Sequence, residues 1–219
     1  VAPSSGLKDR ALKFLPSVEI DVIPNGVELE RFTPAETAKK PQILRLLTVG
    51  RLSVTKRVEI LIDAVEILHR EGCEVRFKIV GGGQMLQKLK QIVSGKNLAD
   101  IIELTGRIDA EEMPQVYRQS DMFISASMQE GMSNAMLEAM ASGLPLITTR
   151  CEGVDELIAD NGIIVNNANA REITDAARKI ADDRQLYKKM AIAAKKQAQK
   201  FTWNKVASKY IELYHKILN

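Results

Sequence analysis

Leu44–Val49 (LRLLTV) is a short apolar run of β-forming residues that stops at Gly50, and the period changes after it. Val58, Leu61, Ile62, Val65 and Leu68 recur at three- and four-residue spacing, which predicts a helix over Arg57–Glu71 closed by Gly72. The alternation then repeats. Glu74–Val80 (EVRFKIV) predicts a strand stopped by Gly81-Gly82-Gly83, followed by a helix over Met85–Val93. Ile101–Leu104 is the next strand, ended by Gly106, and Ala110–Arg118 the next helix. Met122–Ser125, Leu144–Thr148 and Ile163–Val165 are strands, Asn134–Ala141 is a helix, and everything from Arg171 onward is helical.

The ends differ from this middle. Val1–Phe14 predicts a strand end and a short helix, Val18–Ile23 (VEIDVI) a strand, Pro24-Asn25-Gly26 a turn, and Ala35–Gln42 a polar loop. Trp203, Val206, Tyr210, Leu213 and Ile217 form an apolar stripe on a final helix, a stripe that needs something to pack against. Strands that alternate with helices imply an α/β fold, a Rossmann-like parallel sheet flanked by helices on both faces. Ligands of such sheets bind outside the carboxyl ends of the strands. The loops to examine therefore follow Val49, Val80, Leu104, Ser125 and Thr148.

Composition narrows the function. The 219 residues carry a net charge of only +3, too little to wrap nucleic acid by charge alone, and aromatics at 5% are too few for a base-stacking platform. Apolar residues at 45% suit a soluble globule, and no apolar stretch has membrane length. No basic-then-apolar leader opens the chain, so no secretory signal is expected. Cys73 and Cys151 are far apart and are expected to be buried thiols of a cytosolic protein.

Several chemistries are missing from the loops. Leu86 breaks a G-x-G-x-x-G reading of the triple glycine, Asn97 breaks a phosphate-loop reading of Gly95-Lys96, and no H-E-x-x-H or G-x-S-x-G exists. His69 and His215 lie in helical patterns and read as ordinary helix residues rather than metal ligands. No D-x-D stands at a strand end, which argues against a metal clamp on phosphates. On the positive side, Arg51 and Lys56 share the loop after the first core strand, either as a phosphate-binding pair or as a solvated basic loop. Met128–Gly143 (MQEGMSNAMLEAMASG) is the richest segment. Gly131 allows close approach, and Met132, Ser133 and Asn134 open a helix whose free N–H groups make an anion site. Glu130 precedes that helix and Glu138 lies within it, eight residues on, as acceptors for sugar and ribose hydroxyls or as a capping and an exposed glutamate.

These segments, in order, resemble the C-terminal, donor-binding half of GT-B glycosyltransferases of the retaining family 4 type. Ile23-Pro24-Asn25-Gly26-Val27 with Phe32 resembles the lead-in to that domain, and Val49-Gly50-Arg51-Leu52 with Lys56 its diphosphate loop. Ser127–Gly143 resembles the E-x7-E signature with its trailing A-M-A-x-G, and Gly106, Glu156, Gly162 and Phe201-Thr202-Trp203 fall where the family has such residues. The resemblance implies that Arg51 and Lys56 neutralise a donor diphosphate and that amides at Gly131, Met132, Ser133 and Asn134 hold phosphates and sugar. It implies Glu130 on the donor sugar, Glu138 on the ribose, and Gly106-Arg107 beside the base. Arg51, Lys56 and Glu130 would be the catalytic set, with no metal and no cofactor.

The sequence departs from the pattern at Arg57, where glycine is usual and the loop path is expected to change. Glu28 replaces the usual Asp, Met132 the commoner Phe, and the loop around Asp160–Gly162 is short. The whole chain, 1–219, then reads as one nucleotide-sugar-binding domain. Residues 1–24 would be the link from an absent N-terminal acceptor domain, and 201–219 the C-terminal helix. The implied partners are a UDP- or GDP-sugar donor and, through that domain, a membrane-surface or polysaccharide acceptor, with no nucleic acid. The expected place is the cytoplasm, peripheral at the inner membrane face. The alternatives are a nucleotide-sugar epimerase, a phosphorylase-like enzyme, or a non-catalytic nucleotide-binding module.

Overall fold

The computed structural model describes residues 1–35 and 43–218, so the polar loop expected at 35–42 lies, beyond Ala35, outside the described residues. Ala2 makes an isolated bridge to Val22, and α1 (Ser5–Leu12) follows, capped by the buried Ser4, whose Oγ accepts from the Leu7 N–H at 3.2 Å. The core then runs β1 (Leu44–Val49), α2 (Val58–Arg70), β2 (Val75–Val80), α3 (Leu86–Gly95), β3 (Ile102–Gly106) and α4 (Met113–Arg118). It continues through β4 (Met122–Ser125), α5 (Asn134–Ala141), β5 (Leu146–Thr149), α6 (Val154–Leu157) and β6 (Gly162–Val165). Three helices close the chain, α7 (Ala170–Asp182), α8 (Arg184–Ala198) and α9 (Trp203–Leu218).

All six strands pair in parallel, in the order β3-β2-β1-β4-β5-β6. Each strand sends alternate side chains to opposite faces, and both faces are covered. Leu46, Phe77 and Ile79 pack with α2, α3 and α7 through Leu61, Ile62, Leu89 and Ile180. Leu47, Val80 and Phe123 pack with α4, α5 and α8 through Tyr117, Met136, Leu137 and Ala194. Burying a side chain such as Leu61 or Ile62 completely stabilises the domain by about 1.5–3 kcal/mol.

The structure corrects several expectations. Val18–Ile23 is not a strand: among the described residues its only pairing is the Ala2–Val22 bridge, and one bridge does not make a ladder. The first core helix starts at Val58, after a 3-10 turn at Val54–Lys56, because Arg57 sits in the left-handed region at φ 47°. The fifth strand starts at Leu146. Pro145 has no N–H for the ladder, although its carbonyl accepts from Phe123 N–H at 3.0 Å. The helical C-terminal third breaks twice, at Asp183, whose carboxylate caps α8, and at 199–202. Cys73 and Cys151 are free and half-buried rather than buried. The stripe on α9 stays largely uncovered: Trp203, Tyr210 and Ile217 are exposed, Leu213 is half-buried, and only Val206 is buried. No helix among the described residues is long and apolar enough to cross a membrane.

Candidate functional site

From β1 the chain winds outward through β2 and β3, then returns to lay β4 on the other side of β1. Loops leaving β1 and β4 therefore part in opposite directions and open a crevice at the carboxyl ends of those strands. Arg51, Lys56 and Ser133 line this crevice, together with Thr48, Ser125 and Ser127 from the strand ends. Two segments far apart in sequence thus meet where the topology reverses.

Lys56 ends the 3-10 turn, and its ammonium pairs with Glu130 Oε2 in a contact whose side chains are 24% and 20% exposed. Arg51 is exposed and has no ion-pair partner among the described residues. Ser133 caps α5, its Oγ accepting from Met136 N–H at 3.3 Å, and it lines the crevice with Arg51 and Lys56, so the start of α5 opens beside that loop. Arg57, the residue in glycine's usual place, keeps a backbone conformation that glycine favours (φ 47°, ψ 43°). Its Nε donates to the carbonyl of the buried Ala126 at 2.7 Å, which ties the β1 loop to the end of β4.

Glu138 and Asn134 line an adjoining pocket with Gly26, Arg31 and Trp203. Glu138 Oε2 accepts from the Tyr117 hydroxyl at 2.7 Å. The Tyr117 ring is fully buried between Phe32, edge-on at 5.6 Å, and Phe123, stacked at 6.5 Å. Burial pushes the Glu138 carboxyl up, against the opposing pull of the Tyr117 hydroxyl and the Arg31 charge. Burial and Glu138 together raise Tyr117 well above the ordinary phenol range, so it remains a donor.

Gly106 and Arg107 stand at the end of β3, two strands along from β1. Gly81 N–H donates to the Gly106 carbonyl at 2.7 Å, and Arg107 lies against Gly82. The triple glycine has a structural use after all. Gly81 (φ 138°) lies so close to the Gly50 carbonyl that a Cβ would collide with it, and Leu52 N–H donates to Gly82 at 2.9 Å. The loops after β1 and β2 abut only because side chains are absent there.

Sequence reasoning placed Asn25 only in the lead-in turn and did not single out Arg31. The Asn25 amide donates to Asn134 Oδ1 at 2.8 Å and to the Met132 carbonyl at 3.2 Å, clamping the start of α5. Gly26 lies under the Trp203 ring, and Val27 N–H donates to Phe201 O at 2.8 Å. The Pro-Asn-Gly turn was visible as a turn, but its partners are over 100 residues away. A cavity of about 770 Å³ lies elsewhere, at the amino ends of β1 and β2 around Arg45, Arg76 and Phe77, and holds none of the candidate residues. Among the described residues, no group of three or more His, Cys, Asp or Glu could hold a metal ion.

Residues 44–183 match the family model described as Glycosyl transferases group 1. A D-inositol 3-phosphate glycosyltransferase of Pseudarthrobacter chlorophenolicus is 29% identical over 209 residues, which cover 90% of this chain and 50% of that protein. An uncharacterized glycosyltransferase of Methanocaldococcus jannaschii is 30% identical over 230 residues, covering 100% of this chain and 58% of the relative. The chain spans about half the length of the curated relatives it matches. Among solved structures, sucrose-phosphate synthase of Thermosynechococcus elongatus superposes with a TM-score of 0.85 at 23% identity, over 98% of this chain and 57% of that one. The pneumococcal O-GlcNAc transferase, solved with UDP and GlcNAc, gives 0.85 at 23% identity, over 99% of this chain and 44% of its own. At these identities the superpositions show the shared fold.

Proposed function

This chain belongs to the group 1 glycosyl transferases, and from that premise we propose that its β1–β4 crevice holds a nucleotide-diphosphate sugar, the donor for sugar transfer to an acceptor hydroxyl. The observation that carries this is the convergence of Arg51, Lys56 and the first turn of α5 at the point where the sheet order reverses. A diphosphate placed there meets a guanidinium fork, an ammonium and free backbone N–H groups, and needs no metal to offset its charge. Glu138, one oxygen held by Tyr117, presents the other to ribose hydroxyls. Glu130, at the head of α5 and paired with Lys56, accepts from the donor sugar. Gly106 and Arg107 border the base.

Bond cleavage leaves negative charge on the departing diphosphate, and the same cations and amides stabilise it where it develops. Transfer with retention follows from the resemblance, with the leaving diphosphate assisting the acceptor from the same face. The acceptor site belongs to the part of the protein outside these residues, and a membrane-surface or polysaccharide acceptor would be met there.

Thermal unfolding of the 219-residue chain against UDP, GDP, ADP and CMP tests the donor reading. A ligand at ~100 times its Kd stabilises by about 2.7 kcal/mol, which for a domain this size is a rise of roughly 5–11 °C. One nucleoside diphosphate should give that rise, and its nucleoside at the same concentration a smaller one. No response to any diphosphate would remove the reading.

A further inference from the structure

We propose that Arg10 and Glu152 are positioning residues for the sugar end of the donor site, so that α1 sets the placement of Glu130. The inference rests on the donor reading above and concerns residues outside its contacts.

Both backbone groups of Glu130 are held by one turn. Glu152 Oε2 accepts from the Glu130 N–H at 3.0 Å, and the Gly153 N–H donates to the Glu130 carbonyl at 3.0 Å. Glu152 in turn is held from α1: its Oε1 accepts from Arg10 Nη1 at 2.6 Å. The carboxylate is thus a two-ended bridge. One oxygen grips the helix, and the other grips the residue whose side chain pairs with Lys56. Burial raises the Glu152 carboxyl, but the backbone N–H groups of Glu130 and of Glu152 itself and the Arg10 charge outweigh it, leaving it below the ordinary glutamate range. The bridge is therefore ionic at neutral pH.

Packing reinforces the link. A Cβ on Gly131 would stand 3.0 Å from Leu7 and 3.3 Å from Pro3, so α1 and its lead-in lie directly against the residue after Glu130. Gly153 approaches the Gly131 carbonyl too closely for any side chain. At the other end of α1, the Ser5 N–H and Oγ both donate to Glu156 Oε1 at 2.6 Å. Segment 130–131 is clasped between α1 and the 152–153 turn that leads into α6, and Arg10–Glu152 is the polar seam of that clasp. A shift of α1 is transmitted to Glu130 through a salt bridge and a hydrogen bond, without touching Arg51 or Ser133.

The test is calorimetry of the 219-residue chain carrying Arg10→Met, Arg10→Lys, Glu152→Gln or Glu130→Gln, with a nucleoside diphosphate and its nucleotide sugar. Arg10 is on the surface, so Arg10→Met should fold, and circular dichroism checks it. Arg10→Met and Glu152→Gln should weaken the nucleotide sugar about fivefold, the scale of one good ion pair, and leave the diphosphate within a factor of about two. Arg10→Lys should restore most of the loss. In the Glu130→Gln background, Arg10→Met should have no further effect, because its influence passes through Glu130. Equal weakening of both ligands would mean a structural role only and would overturn the inference. So would a loss with Glu130→Gln but none with Arg10→Met, and that result leaves the donor reading intact. Failure of the unsubstituted chain to bind either ligand overturns both.

Discussion

Tyr117→Phe removes one oxygen and keeps the ring, so it isolates the hydroxyl bond to Glu138. The phenyl ring still fits between Phe32 and Phe123, and no cavity larger than the hydroxyl is left. What is lost is a 2.7 Å hydrogen bond to a carboxylate that burial already raises. Bonds to charged groups contribute about 1.5–3 kcal/mol, or a melting temperature lower by roughly 3–12 °C for a domain of this size. Arg31 is too distant to hydrogen-bond Glu138, so no charged neighbour replaces the hydroxyl directly. The carboxyl should therefore rise further. The sign for binding follows: an ionised Glu138 accepts two ribose bonds, protonation removes that capacity, and affinity falls as pH falls. In Tyr117→Phe the fall should begin at a higher pH than in the unsubstituted chain. Urea unfolding gives the first quantity, and calorimetry of nucleoside binding between about pH 5 and 8 gives the second. Unchanged stability together with an unchanged pH profile would refute the claim that Tyr117 holds Glu138.

Other substitutions separate other contacts. Arg51→Ala and Lys56→Ala should weaken nucleoside diphosphate by about 1.5–3 kcal/mol each and leave the bare nucleoside unaffected. Lys56→Ala should be the worse, because it also leaves Glu130 facing the phosphates unpaired, and adding Glu130→Gln should recover part of the loss; calorimetry on both ligands decides. At position 57, left-handed strain of about 1–2 kcal/mol opposes a charged hydrogen bond of about 1.5–3 kcal/mol. Arg57→Gly should therefore be mildly destabilising and Arg57→Ala more so in urea titration, and a gain with glycine would mean the Ala126 contact contributes nothing. Glu152 lies below its ordinary value of 4.5, so its ionic contribution is present at neutral pH and lost as pH falls beneath that value. The melting difference between the unsubstituted chain and Glu152→Gln should hold from pH 7 down to that ordinary value and shrink only below it, as the carboxyl protonates; a difference that stays constant down through the acid range would contradict the bridge.

The sheet was legible because its strands announce themselves locally. Leu44–Val49 is a mostly apolar run and Glu74–Val80 an alternation of charged and apolar residues, both cut by glycine, and α2 carries its apolar face at helical spacing. Val18–Ile23 has the same β-forming character but only the single Ala2–Val22 bridge beside it, and a strand exists only where a second strand supplies its hydrogen bonds. Arg51, Lys56, Glu130 and Ser133 could be named as candidates from residue type and loop position. That Lys56 and Glu130 pair with each other could not, since 74 residues separate them and each reads locally as a solvated charge. Glu152 is a harder case still. Its role depends on α1 packing against a turn 142 residues away, and a lone glutamate in a loop carries no local sign of that. Arg57 shows the reverse difficulty: its departure from glycine was visible, but that an arginine would hold the left-handed conformation through Ala126 was not.

The central claim, that Glu130 meets the sugar and Glu138 the nucleoside of one donor, is tested most directly by a two-by-two affinity comparison. Glu138→Gln and Glu130→Gln are each titrated with the nucleoside diphosphate and with its nucleotide sugar. Glu138→Gln should weaken both ligands by about tenfold, one charge-assisted hydrogen bond's worth. Glu130→Gln should weaken only the nucleotide sugar, and should leave the diphosphate equal or tighter because Lys56 is released from its ion pair. If Glu130→Gln weakens the bare diphosphate as much as Glu138→Gln does, the two glutamates do not divide the donor between them and the account of the site is wrong.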